Sequence, residues 1–348
     1  MKKCKGCGIE LQDQDINKPG YIKDLKQDYC QRCFRLIHYG DNSKLHSDYI
    51  NNEKIIDIYK KYKNDIFVII IDILDLFVLD IDNYLEIFKD YKKIIIINKI
   101  DLLPLNISEY KLNKSIEKIL YKLNKQYSNI NEFILTHQKD SYFNDLFFKM
   151  IDEYPNNRFI FVGRTNAGKS TIINKLLNNH DLTISSYPST TLDEIEIKYD
   201  KYIFIDTPGL IDYDNYSAHV SEIVYNKLLI KKTIKPIVFQ IKDEQSFIYD
   251  GIFIVDIDKP TDKTNITSYM NNDIEIHRLK TINVQDYIEK HHKEFIIDNP
   301  KYISKKYHNV DKQTYMIKGI GMFKIIGDVD IKIHISKDVP IYLLKENI

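Results

Sequence analysis

Residues 67–73 form an apolar run broken only by Asp72, and residues 93–98 form a second that ends in Asn98. Runs this short, this apolar and this rich in isoleucine predict strands buried on both faces, the habit of a parallel sheet. Two more strand-like stretches follow at 132–136 and 159–162. Helical spacing of apolar positions over 55–62, 107–125, 142–153 and the residues after Gly168 sets helices among these strands. Strands alternating with helices predict an α/β domain whose sheet is covered on both faces. The pattern then changes. Residues 194–199 and 202–206 read as a hairpin and 217–231 as helical. From Pro236 onward β-type runs take over (237–241, 251–257, 274–279, 315–326 and 329–335), with one helix at 284–295. The chain is expected to divide into a small unit at 1–48, an α/β domain at 49–231 and a β-rich α+β domain at 232–348.

Composition adds bounds. A chain of 348 residues has room for two or three cores. Lys and Arg (50) balance Asp and Glu (50), which excludes a uniformly basic nucleic-acid binder and leaves only a local basic face open. The abundance of Ile, Asn, Lys and Tyr, with no Trp, reads as codon bias and not as function. No run of 18 apolar residues occurs, and Met1 to Cys4 have no targeting character. A soluble cytoplasmic protein without a membrane partner is the expectation.

All four cysteines fall in the first 33 residues, as Cys4-x-x-Cys7 and Cys30-x-x-Cys33 with 22 residues between the pairs. Two such knuckles are the common way to present four thiolates tetrahedrally to zinc. Disulfides are the alternative, and a reducing compartment argues against them. Four thiolates close the site, so the Zn2+ is expected to be structural. His38 and His46, beside a complete ligand set, are expected to be surface residues.

The chemistry centres on Gly163-x-x-x-x-Gly168-Lys169-Ser170-Thr171, set between an apolar strand and a helix. That context is what a phosphate-binding loop requires. Gly163 and Gly168 permit the tight turn, with Asn166 and Thr171 part of the same loop and helix start. Lys169 supplies charge to the β- and γ-phosphates and Ser170 a hydroxyl to Mg2+. Asp206-Thr207-Pro208-Gly209 provides the next part: Asp206 reaches Mg2+ through water, and the Gly209 N–H senses the γ-phosphate. The loop ending in Thr190-Thr191 offers a further hydroxyl to Mg2+, and spacing does not choose between the two threonines. Asn98-Lys99-Ile100-Asp101 selects the base. Asp101 accepts from the ring N–H and exocyclic amine of guanine, and adenine would leave it unpaired. Asn98 and Lys99 are expected to brace that loop and pack along the base. Together the motifs specify GTP.

Their order is inverted. Asn98–Asp101 precedes Gly163 by about 60 residues, whereas ordinary GTPases carry the phosphate loop first. Both motifs lie at strand carboxyl ends, so permuting the chain leaves such a site whole. It also makes the segment after Gly209 the tether of the carboxy-terminal domain, a mechanical basis for a switch.

This order and these motifs resemble the YqeH family of circularly permuted GTPases. The match runs through Cys4-x-x-Cys7-Gly8, Pro19-Gly20-Tyr21, the stretch from Tyr29 to Tyr39, Asp72-x-x-Asp75, Asn98–Asp101, the phosphate loop and Asp206–Leu210. It covers at least the first 215 residues, with a weaker echo at Gly319-Ile320-Gly321. The resemblance implies a circularly permuted P-loop GTPase that assists assembly of the small (30S) ribosomal subunit. GTP would be the switching ligand, GDP its product, and rRNA or a ribosomal protein the partner. It further implies that Thr136 and His137, ahead of Gln138, stand where the family places a second base-contacting loop, usually Ser-Ala-Lys-like. This chain departs from the family there, and at Pro188-Ser189-Thr190-Thr191 where Pro-Gly-Thr-Thr is usual.

Leu210 occupies the place where Ras-like enzymes orient water with a glutamine, so slow intrinsic hydrolysis is expected. Asn166 matches a residue that helps hold K+ near the phosphates in potassium-activated GTPases, with simple turn propensity as its alternative role. Lys169, Asn166 and Gly209 make the expected catalytic set. Beyond residue 232, His291, His292, Lys293, Lys301, Lys305 and Lys306 could meet RNA phosphates. Asp286, Glu289, Glu294 and Asp298 are interspersed with them and favour a solvated face. Two other classes compete. A metabolic or signalling GTP-hydrolysing enzyme would need a catalytic cluster outside the nucleotide site, and none stands out in 232–348. A zinc-bearing RNA-binding module with a structural nucleotide site is disfavoured by the intact Lys169, Ser170, Asp206 and Asp101.

Overall fold

The computed structural model describes residues 2–24, 26–39, 51–76, 81–126, 130–136, 140–177, 191–297, 301–337 and 339–344. The chain forms two units: Met1–Ile100 with Lys118–Asp212, and Asp101–Glu117 with Tyr213–Ile348.

Up to residue 206 the elements are α1 (Gln31–Tyr39), α2 (Asn52–Lys61), β1 (Ile66–Asp72), α3 (Ile73–Leu76), α4 (Ile81–Glu86), β2 (Lys92–Asn98), α5 (Glu109–Gln126), β3 (Ile130–Leu135), α6 (Phe143–Ile151), β4 (Arg158–Gly163), α7 (Lys169–Leu177), β5 (Ile195–Tyr199) and β6 (Tyr202–Asp206). The strands form one sheet in the order β3-β2-β1-β4-β6-β5. All neighbours are parallel except β5, which turns back on β6 as the predicted hairpin. From β1 the chain winds outward through β2 and β3, then returns beside β1 with β4 and winds the other way. Such a reversal opens a crevice at the carboxyl ends of the two strands, where open α/β sheets bind ligands. Register aligns the motifs along that edge. Asp72 pairs with Asn98, Ile70 with Gly163, and Phe161 with Asp206.

Both faces of the sheet are covered. On one, Phe143, Phe147, Met150 and Ile151 of α6 pack with Phe159, Phe161 and Phe204. Each ring so buried stabilises by about 2 kcal/mol. On the other, Tyr59 of α2 meets Phe67 and Phe88 with ring centroids 5.9 and 5.4 Å away. Helix α2 forms because Asn51 caps it, accepting from the Lys54 N–H. Its buried residues Ile55 and Tyr59 then fall one turn apart on one face.

The second unit is β-rich. It carries α8 (Glu222–Leu228), β7 (Ile237–Gln240), β8 (Gln245–Tyr249), β9 (Phe253–Asp258), β10 (Asn265–Met270), β11 (Ile276–Lys280), α9 (Val284–His291), β12 (Ile303–Asn309), β13 (Lys312–Ile317), β14 (Gly321–Ile326), β15 (Val329–Ile335) and β16 (Ile341–Leu344). These strands make two antiparallel sheets, β16-β13-β14-β10-β7 and β11-β8-β9-β15-β12. Phe247, Tyr249 and Phe253 of one sheet and Tyr315 and Phe323 of the other share a core. The pattern at 315–326 is a hairpin and not one run. Gly319 (φ +80°) turns the chain between β13 and β14, a conformation that favours glycine. Strands β8, β10, β12 and β16 were not anticipated. The helical stretch at 217–231 splits into a 3-10 turn, Tyr216–His219, and α8. Among the described residues, no helix is long and apolar enough to cross a membrane.

Candidate nucleotide and metal sites

The loop after β4 needs its glycines for different reasons. Gly168 has φ +98°, and a Cβ there would meet the Asn98 side-chain nitrogen at 2.3 Å. A Cβ on Gly163 would press the Ile70 carbonyl at 2.7 Å. Asn98, at the end of β2, donates from Nδ2 to the Ala167 carbonyl at 2.9 Å and so ties the base motif to the phosphate loop. Asn166 takes a left-handed turn (φ +62°), which asparagine tolerates better than most residues. Lys169 opens α7, is 7% exposed, and points its ammonium at the carbonyls of Gly163 and Arg164 (3.4 and 3.2 Å). Burial pushes its pKa down to about 8, against the Asp206 charge.

Asp206 is fully buried at the end of β6. Its Oδ2 accepts from the hydroxyls of Ser170 and Thr191, each at 3.1 Å. Its Oδ1 is buried with no hydrogen-bond partner among the described residues. Burial pushes this carboxyl up to about 6, opposed chiefly by the Lys169 ammonium. A carboxylate with an orphaned oxygen and two convergent hydroxyls fits Mg2+, which would supply charge for the phosphates. Thr191 is thus the threonine seen on Asp206. Thr190 and His137 lie outside the described residues. Thr136 is buried, accepts from the Ile97-to-Ile100 turn at its carbonyl (Ile100 N–H, 3.4 Å) and donates to Asp140 at 3.3 Å.

The segment after Asp206 is stitched to the phosphate loop. Thr207 donates to the Phe161 carbonyl at 2.7 Å. A Cβ on Gly209 would meet the Lys169 ammonium at 2.8 Å, so this backbone lies against the phosphate lysine. The Leu210 N–H donates to Gly163 (3.0 Å), and its carbonyl accepts from Thr165 (2.9 Å), while its side chain is buried. Two further residues escaped the sequence reading, and a third, Asp75, entered it only as part of the family match. Asn52 of α2 grips the Ile211 backbone with both amide atoms, each at 2.8 Å. Arg164 reaches Asp212 at 3.2 Å and lies over the Tyr84 ring at 5.2 Å. Asp75, near Arg164 (3.9 Å), is pushed up to about 7 by burial and by the charge of Asp72. Only Asp75 had a signal, its spacing from Asp72. Lys99 adopts φ +65° and pairs with Asp72 at 2.7 Å. Asp101 follows in a 3-10 turn, Ile100–Leu102, and is exposed.

At the amino terminus the four cysteine sulfurs lie within 4.8 Å of one another and are buried. Four sulfurs around one zinc stand about 3.8 Å apart, and Cys7 and Cys30 are 3.9 Å apart. The donor set fits a closed zinc site. Cys30 N–H donates to the Cys4 sulfur at 3.2 Å. The Cys7 carbonyl accepts from the N–H groups of Leu192 and Asp193 (2.8 and 3.0 Å), the two residues after Thr191. Gly8 (φ +79°) permits this approach, since a Cβ would meet the Asp193 carbonyl at 2.5 Å.

In the second unit, His291 pairs with Glu294 at 3.0 Å and stacks on Tyr287, and Lys305 donates to the Val339 carbonyl at 2.8 Å. Asp298 lies outside the described residues.

A parallel sheet that reverses at β1 and β4, a phosphate loop on the reversing strand and a base motif upstream of it define a circularly permuted P-loop GTPase. The family model of the 50S ribosome-binding GTPase matches residues 158–297, which begins at β4 and leaves out the upstream Asn98–Asp101. Along nearly its whole length the chain is YqeH-like: it is 27% identical over 354 residues to YqeH of Bacillus subtilis (strain 168), covering 95% of this chain and 94% of that one. A local likeness links it to GTPase Der of Natranaerobius thermophilus, 49% identical over 53 residues, 14% of this chain and 12% of that one. Among solved structures, GNP-bound YlqF from T. maritima aligns at 22% identity and TM-score 0.32, over 51% of this chain and 64% of that one. YjeQ from Thermotoga maritima aligns at 21% and 0.28, over 42% and 48%. The chain thus spans less than two thirds of the first structure and about half of the second.

Proposed function

We propose that this chain is a cytoplasmic, GTP-driven switch assisting assembly of the small ribosomal subunit. In this reading residues 1–48 bear the zinc, 49–231 hydrolyse GTP and 232–348 recognise the partner. The observation that carries the switch is the clamp on Leu210. Both its backbone groups are bonded to the phosphate loop, and the chain enters the second unit at Tyr213. A γ-phosphate at the Gly209 N–H therefore acts on the segment that leads there. Lys169 holds the β- and γ-phosphates, Ser170, Thr191 and Asp206 hold Mg2+, and Asp101 reads guanine. Leu210, buried and without a polar group, orients no water, which supports slow hydrolysis.

Sedimentation with purified subunits tests the switch. The chain should co-migrate with the small subunit under a non-hydrolysable GTP analogue, and not under GDP or without nucleotide. Asp101→Asn should abolish that response to the guanine analogue. Binding that ignores nucleotide favours an RNA-binding module. Migration with the large subunit instead would follow the description of the matched family model and overturn the small-subunit reading.

Asn166 is proposed to help hold K+ beside the phosphates, where the ion would neutralise transition-state charge. Turnover should then rise in K+ over Na+ at equal ionic strength. Equal rates would return Asn166 to a turn residue.

A further inference from the structure

We infer that Thr233 and Asn272, remote in sequence from every nucleotide motif, position Asp101 for reading guanine. The inference rests on Asp101 being the base-reading carboxylate. That residue sits in a single 3-10 turn, Ile100–Leu102, which has little stability of its own. The left-handed backbone at Lys99 directly precedes the turn. Its carbonyls need partners, and they find them in the segment between α8 and β7. Thr233 Oγ1 donates to the Asp101 carbonyl at 2.9 Å, and the Ile234 N–H donates to the Leu102 carbonyl at 2.9 Å.

That segment is held in turn by two neighbouring side chains. Asn272, in the turn after β10, donates from Nδ2 to the Thr233 carbonyl at 3.0 Å and accepts from the Lys235 N–H at 2.8 Å. The neighbouring Asn271 donates to the Leu229 carbonyl at 2.6 Å. The chain of bonds therefore runs from Asn272 through Thr233 to the peptide of Asp101, whose own side chain is left exposed for a ligand. A carboxylate that must meet two donors of a base tolerates misplacement of only about 0.5 Å, so its peptide has to be held from behind. By reciprocity, a ligand of the second unit that moved the Asn272 turn would weaken guanine binding, and guanine would weaken that ligand equally.

The test uses the full zinc-loaded chain and measures affinity for GDP, IDP and ADP by displacement of a fluorescent nucleotide. IDP lacks the exocyclic amine, so the GDP-to-IDP ratio reports one of the two bonds to Asp101 and is unmoved by general loosening, which lowers both alike. The wild type should prefer GDP to IDP by about tenfold or more, and Asp101→Ala should erase the preference. Thr233→Val and Asn272→Ala should shrink the ratio about three- to tenfold, with GDP affinity falling more than IDP affinity, and Thr233→Ser should restore it. A wild type that binds ADP as tightly as GDP overturns the reading of Asp101 and this inference with it. A preference that Asp101→Ala erases but Thr233→Val and Asn272→Ala leave intact overturns the inference alone.

Discussion

Replacing Lys169 with alanine should lower GTP turnover on the order of a hundred- to a thousandfold. The side chain starts α7 and is buried, and among the described residues its ammonium donates to the carbonyls of Gly163 and Arg164 at 3.4 and 3.2 Å. These are long contacts, which a phosphate oxygen can replace with shorter, charge-assisted ones. With its pKa at about 8, the group is mostly protonated at neutral pH. Its charge is thus aimed at the phosphates before they arrive, at little reorganisation cost. The Gly209 backbone lies against the same nitrogen, so the variant should also blur the difference between the GTP- and GDP-bound forms. Phosphate release under saturating GTP and Mg2+ measures the first effect. Limited proteolysis after Gly209 in each nucleotide measures the second. Turnover within about tenfold of wild type would remove Lys169 from the chemistry.

Stripping the metal should unfold the amino-terminal unit and slow the GTPase, although no cysteine is a candidate for touching nucleotide. The core there is Cys4, Cys7, Cys30 and Cys33 with Leu11, Ile22 and Leu192, too small to hold itself together. In such units metal binding, worth about 10–16 kcal/mol in zinc-finger peptides, is the folding energy. The consequence reaches the nucleotide because the Cys7 carbonyl fastens Leu192 and Asp193, and the preceding Thr191 carries the hydroxyl on Asp206. Loss of the knuckle frees that threonine. Thiol alkylation should go from protected to complete on chelation, with one metal ion released per chain. Turnover should fall about tenfold or more, as when a supporting ligand is lost from a metal site, and recover on adding zinc. A stripped chain with protected thiols, or with undiminished turnover, would break the link.

The sheet was legible because its strands are unusual in composition. Ile94 to Ile97 can be little else than a strand buried on both faces, and it is fully buried. The second unit was less so. Strand β12 alternates exposed and half-buried residues with Lys305, Lys306 and His308 among them, and carries no apolar stripe to betray it. The run at 315–326 hides its turn because Ile320 lies between the two glycines and keeps the stretch apolar.

Site residues divide in the same way. Gly163, Gly168, Lys169, Ser170 and Asp206 could be singled out because the phosphate-loop motif and the Asp206–Gly209 motif are local in sequence, each set by one strand and the turn after it. Asn52, Arg164 and Thr233 were not, since each acts through a bond to a distant backbone or charge. Asn52 lies 159 residues from its partner Ile211 and Thr233 132 from Asp101. The hydroxyl of Thr191 on Asp206 belongs to the same class, because it depends on where Cys7 pins the next two residues.

By itself, then, the sequence determined the ligand class, the permuted order and the clustering of the four thiols, all of which follow from residue type at short spacing. Only the tertiary structure decided which residues hold those motifs in place. A hydrogen bond across more than a hundred residues leaves no period or spacing in the chain, and it exists only once the sheets have closed.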